Sequence, residues 1–117
     1  MSKKIMIVDD DQDIRSYLGE LFADNGYETV MAEDGAVAVE IAEKETPDLI
    51  TLDLEMPGEW GPRFYRKLTQ NDDLKRIPVI VISGLNANKY AIPKAIATLT
   101  KPFDAEELIR IVKETIG

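Results

Sequence analysis

The sequence contains no cysteine and no histidine, and each absence removes a class of function. Without cysteine there is no disulfide framework, and the composition fits a reducing, cytoplasmic setting. Without histidine there is no imidazole general base, no histidine metal site and no phosphohistidine carried by the chain itself. No apolar run exceeds the length of a strand and no basic, apolar and small-residue leader opens the sequence, so neither a membrane span nor a signal peptide is expected. Nothing Gly-rich resembles a dinucleotide or P-loop fingerprint. Positive charge is scarce: 14 Lys and Arg stand against 22 Asp and Glu, a net charge of -8, which opposes direct contact with nucleic acid or anionic lipid.

What remains is a chain of 117 residues, read as one domain over 1–117. Its most informative stretch is Asp48-Leu49-Ile50-Thr51-Leu52-Asp53-Leu54-Glu55-Met56-Pro57-Gly58. An apolar run reads as a buried parallel strand, Asp53 ends it, and Pro-Gly turns the chain. Open parallel sheets hold ligands just beyond the carboxyl ends of their strands, so a charged residue there is placed for chemistry.

The same pattern recurs along the chain. Residues 3–8 form a strand that delivers Asp9, Asp10 and Asp11, and Asp11 caps a helix carrying Ile14, Leu18, Leu21 and Phe22 until Asn25-Gly26. Residues 27–32 read as a weaker edge strand, followed by an Ala-rich helix with Ala38, Ile41 and Ala42 inward, closed by Thr46-Pro47. Residues 59–62 read as a loop into a helix with Phe64, Tyr65 and Leu68 on one face. Residues 77–83 form a strand ending on Ser83, and residues 96–100 form a last strand reaching Lys101-Pro102. Asp104 caps a final helix with Leu108, Ile109, Val112 and Ile116 as its stripe. Between them, Asn86, Asn88 and Pro93 leave room only for a short or irregular fourth helix. Strands alternating with helices argue for an α/β fold, a parallel sheet covered on both faces.

If the strands are parallel, Asp9 and Asp10, Asp53, Ser83 and Lys101 emerge on one edge. Two like charges about 4 Å apart repel by roughly 4 kcal/mol at an effective dielectric near 20, so clustered carboxylates call for a cation, Mg²⁺ by preference. Lys101 offers a positive charge and Ser83 a hydroxyl, which suits a phosphoryl group on Asp53. Each residue alone has an ordinary reading: a helix cap for the acidic triplet, a turn residue for Asp53, a loop hydroxyl for Ser83, a surface lysine for Lys101. Their coincidence at separate strand ends favours a site. Trp60, Phe64 and Tyr65 read as packing or a partner contact.

On these motifs, together with Met56-Pro57-Gly58, Gly61, Pro78 to Gly84 and Lys101-Pro102-Phe103, the chain resembles a response-regulator receiver domain, the chemotaxis-receiver-like module of two-component signalling. The resemblance implies a single doubly wound, flavodoxin-like five-stranded sheet of order 2-1-3-4-5. It implies Asp53 as phosphoacceptor, with Asp10 and Asp53 ligating Mg²⁺, Asp9 reaching it through water, and the backbone carbonyl of Glu55 as a further ligand. It also implies Ser83 bonding the phosphoryl group with Gly84 leaving room, Lys101 pairing with carboxylate or phosphoryl oxygens, and a cis peptide before Pro102. Such a module is no enzyme beyond its own phosphorylation and dephosphorylation, which Glu55 and Leu85 are expected to tune. The partners implied are a sensor histidine kinase or histidine phosphotransfer protein and a downstream protein target, with the chain a monomer or a phosphorylation-dependent dimer. Thr98 stands where the family places an aromatic switch residue, so that switch does not carry over. Two rival readings are a receiver-like docking module that is not phosphorylated and, on the loose likeness of Asp53-Leu54-Glu55 to Asp-x-Asp, an aspartate-nucleophile phosphohydrolase.

Overall fold

The computed structural model describes residues 2–84 and 95–117, with the side chain of Glu59 left aside. In chain order the elements are β1 (Lys4–Val8), α1 (Gln12–Asp24), β2 (Glu28–Ala32), α2 (Gly35–Glu45), β3 (Leu49–Leu52), a 3₁₀ turn (Pro57–Glu59), α3 (Trp60–Gln70), β4 (Val79–Ser83), β5 (Ala97–Thr100) and α4 (Ala105–Ile116). The strands form one parallel sheet in the order β2-β1-β3-β4-β5. The chain therefore winds one way from β1 to β2 and the other way from β3 onward, and the switch point lies between β1 and β3.

The inner strands β1, β3 and β4 are largely apolar and buried because both faces of the sheet are covered there, while the edge strands β2 and β5 are mixed. Successive side chains point to opposite faces, so Met6, Val8, Ile50, Leu52 and Val81 meet Ala38 and Ala42 of α2 and Phe64 and Leu68 of α3. Ile5, Ile7, Leu49, Ile80 and Ile82 meet Leu18 and Phe22 of α1 and Leu108 and Val112 of α4. Each fully buried large side chain, such as Phe22 or Phe64, contributes about 1.5–3 kcal/mol by leaving water.

Two helices begin on the caps the sequence predicts, Asp11 and Asp104, and the structure adds a third at Asp34. Asp11, Asp34 and Asp104 cap α1, α2 and α4, their carboxylates accepting the N–H groups of Asp13, Val37 and Glu106 at 2.9 Å each. Gly26 beyond α1 takes a positive φ of 89°, the conformation for which a glycine after a helix is suited. β2 lies at the edge of the sheet, in keeping with its mixed sequence. The start of α3 differs from the expectation of a loop over 59–62. The 3₁₀ turn runs straight into a helix that begins at Trp60, and Pro62 sits in its first turn, where a missing N–H costs nothing. The expected short or irregular fourth helix falls mainly on residues 85–94, outside the described residues. Of its flank, Ala95 packs on the core and Ala97 already belongs to β5.

Candidate functional site

Main-chain bonds carry the sheet one step past its strands and thereby gather the polar residues. The Asp9 N–H donates to the Ala32 carbonyl (3.2 Å), the Asp53 N–H to Val8 (2.9 Å) and the Lys101 N–H to Ser83 (2.7 Å). Asp9, Asp53, Ser83 and Lys101 are thus held to neighbouring strand ends, and Asp10 follows on the same edge. The structure thus brings together Asp9, Asp10, Asp53, Ser83 and Lys101, and Glu55, the sixth residue expected at the site, follows two residues after Asp53.

Asp9 and Asp53 are each only 3 % exposed and Ser83 is fully covered, so the carboxylates face one another largely out of water. Lys101 Nζ donates to Asp9 Oδ2 at 2.9 Å and lies 3.7 Å from Asp53 Oδ2. The other oxygen of Asp53, Oδ1, accepts the Glu55 N–H at 2.9 Å and the Ser83 hydroxyl at 3.1 Å. Asp9 Oδ1 accepts the Asp11 N–H at 2.9 Å, while Arg15 from α1 donates to the Asp9 carbonyl at 2.8 Å. The peptide between Lys101 and Pro102 is cis.

These surroundings push the ionisation of Asp53 upward. Burial is the largest cause and the Asp9 charge adds to it, while the Glu55 N–H, Lys101 and Ser83 pull the other way without overcoming it. Burial lowers the Lys101 pKa, but the hydrogen bond to Asp9 and the charges of Asp53, Asp9 and Asp11 outweigh it, so the ammonium is held charged above its ordinary range.

One lysine does not balance this acidity. Asp9, Asp10 and Asp53 each offer an oxygen, and the three lie within 4.8 Å of one another. Asp10 is exposed, which leaves the cluster open on one side. Hard carboxylate oxygens with room for water match a divalent cation such as Mg²⁺.

Two features went beyond the sequence reading. The Glu55 carboxylate folds over the site and takes a share of the Ser83 hydroxyl at 3.3 Å. Gly84 makes room for that carboxylate, since a Cβ there would lie 2.6 Å from Glu55 Oε1. The resemblance had placed Glu55 and Gly84 at the site, but with Gly84 leaving room for a phosphoryl group and not for the Glu55 carboxylate, whose contact with Ser83 nothing in the sequence foretold. Arg15 gave no signal, because its contact is to a backbone carbonyl. Thr98 is exposed on β5 opposite Val81, and Leu85 lies outside the described residues.

A family model for the response regulator receiver domain matches residues 5–113. Protein Rrf1 of Nitratidesulfovibrio vulgaris is 34% identical over 117 residues, covering 100% of this chain and 85% of its own. Sporulation initiation phosphotransferase F of Bacillus subtilis is 36% identical over 117 residues, covering 97% of this chain and 94% of its own. Among solved structures, the receiver domain of a sensor histidine kinase from Pseudomonas aeruginosa, with a magnesium ion coordinated in its active site cleft, superposes with a TM-score of 0.90 at 25% identity, covering 100% of this chain and 99% of that one.

Proposed function

The chain belongs to the response regulator receiver domains of two-component signalling, and on that premise we propose that it is a phosphorylation switch whose phosphoacceptor is Asp53. The observation that carries the reading is the convergence of Asp9, Asp10, Asp53, Ser83 and Lys101 from separate strand ends around one buried carboxylate.

The donor is a phosphohistidine on a sensor kinase or phosphotransfer protein, or a small acyl phosphate. A carboxylate oxygen of Asp53 attacks phosphorus in line, the P–N bond breaks, and the histidine nitrogen leaves with the bonding pair. Lys101 stabilises the charge that spreads over the transferring oxygens, and Ser83 turns its hydroxyl from Asp53 and Glu55 to the new phosphoryl group. Asp10, Asp53 and the Glu55 carbonyl, with Asp9 through water, would hold a magnesium ion, which would supply the positive charge that neutralises the acidic cluster as phosphate arrives. The Glu55 carboxylate stands where the phosphoryl group must come close to Ser83, and so slows both its arrival and its loss to water. The aspartyl phosphate then reshapes the surface read by a downstream protein, and the chain works in the cytoplasm.

The rival reading, a docking module not phosphorylated in its normal role, draws on Thr98 and on the unusual segment between Ser83 and Lys101, most of which lies outside the described residues. Incubation with acetyl phosphate and Mg²⁺ separates the two. A mass gain of one phosphoryl group, abolished by Asp53→Asn and by chelating the metal, supports the switch. An unchanged mass with the site intact sinks it.

A further inference from the structure

The sequence of α3, Trp60–Gln70, contains no carboxylate, in a chain with 22 of them. Its inner face buries Gly61, Phe64, Tyr65 and Leu68. Its outer face exposes Arg63, Arg66, Lys67 and Gln70, which recur at i, i+3, i+4 and i+7 and so form one stripe.

Two features of that stripe work against the helix itself. Arg63 places a cation in the first turn, against the positive end of the helix dipole. Arg63, Arg66 and Lys67 also stand three and four residues apart, where like charges repel. Four other cations are paired, Lys4 with Glu45, Lys75 with Asp72, Lys101 with Asp9, and Arg110 with Glu114, whereas other cations unpaired among the described residues, such as Lys3, Lys44 and Lys113, are not grouped on one helix face. Among the described side chains, no carboxylate forms an ion pair with Arg63, Arg66 or Lys67. The Arg63 guanidinium instead lies 5.4 Å above the Trp60 ring, which holds the cation in place while leaving it open to solvent.

We propose that this stripe docks an acidic segment of a partner protein, with carboxylates at helical spacing that meet Arg63, Arg66 and Lys67 and an apolar side chain against Trp60. Charge complementarity selects the occupant. Arginine forks donate paired hydrogen bonds to carboxylates, and an acidic segment opposed by the chain's net negative charge finds attraction at the α3 stripe. Nucleic acid is disfavoured, because three cations make too few phosphate contacts to overcome a net charge of -8. The proposal does not rest on phosphorylation of Asp53.

The test titrates the full chain with a synthetic alanine-based helix bearing glutamates at i, i+3, i+4 and i+7, following Trp60 emission and backbone amide shifts. The expected result is saturable binding with shifts confined to residues 60–70, weakening several-fold as salt rises from about 50 to about 200 mM. Arg63→Glu/Arg66→Glu/Lys67→Glu should lose at least about tenfold in affinity, about 1.4 kcal/mol, while Lys113→Glu on α4 binds like the parent. A glutamine version of the peptide should fail to bind, a control that needs no change to the protein. Absence of saturation, shifts centred elsewhere, equal binding of the glutamine peptide, or tighter capture of a DNA duplex than of the acidic helix would each overturn the proposal.

Discussion

Asp53 is the residue at which folding and chemistry conflict most. Its carboxylate is buried beside Asp9, and its pKa is raised chiefly by burial. The native state therefore holds this proton more tightly than the unfolded chain, and stability falls as pH climbs from the ordinary carboxylate value through the raised one. In chelator, Asp53→Asn should stabilise the protein by about 1–2 kcal/mol at neutral pH, since the amide keeps an acceptor for Glu55 and Ser83 without the charge. Denaturant melts across pH check the sign: the advantage should be full above the raised pKa and shrink as acid protonates the parent. Thr51 makes a smaller case. Among the described residues its hydroxyl, buried in β3, has no hydrogen-bond partner, so Thr51→Val should gain about 1 kcal/mol, read as a rise of a few degrees in Tm. The residues of the acidic site were legible because each ends a strand run. Glu55 over Ser83 was not, since spacing does not say where a flexible side chain comes to rest.

At the scale of elements, the helix starts at Asp11 and Asp104 could be read directly, because a capping carboxylate followed by an apolar stripe is a local pattern, whereas Asp34 was read only as part of a turn before it proved to cap α2. The start of α3 could not be read, because its cause is tertiary. Gly61 lets the first turn press against the main chain that follows β3: a Cβ would lie 2.5 Å from Leu54 Cα and 2.7 Å from the Asp53 carbonyl oxygen. Trp60 reaches across to Gly35 at the start of α2 in a similarly close contact. Backbone cannot yield as a side chain can, so Gly61→Ala should destabilise by about 2–4 kcal/mol, measured as a lower denaturation midpoint, and should displace Asp53 as well. For Gly84→Ala the nearest atoms among the described residues belong to the movable end of Glu55, and the change should cost much less by the same measurement. Trp60 thus ties the start of α3 to the start of α2 through close packing, which a periodic reading of the sequence does not reveal.

At the scale of the whole molecule, alternation of apolar strands with amphipathic helices was enough to specify a parallel sheet with two covered faces. Strand order was a different matter: no periodicity says that β1 lies between β2 and β3, and that order rested on the resemblance. One consequence of the parallel arrangement concerns the far rim. Every strand delivers its chemistry upward, so the turns entering the strands from below carry none of it. The turn over residues 71–77 is such a place, closed on itself by bonds from Leu74 to Asn71 and Ile77 to Leu74 and exposed at Asp72 and Asp73. A tag or small reporter spliced between those two aspartates should leave the rate of labelling by acetyl phosphate within about twofold of the parent, as intact-mass kinetics would record. The molecule is built like a socket with its contacts on one face, and its back is free for mounting.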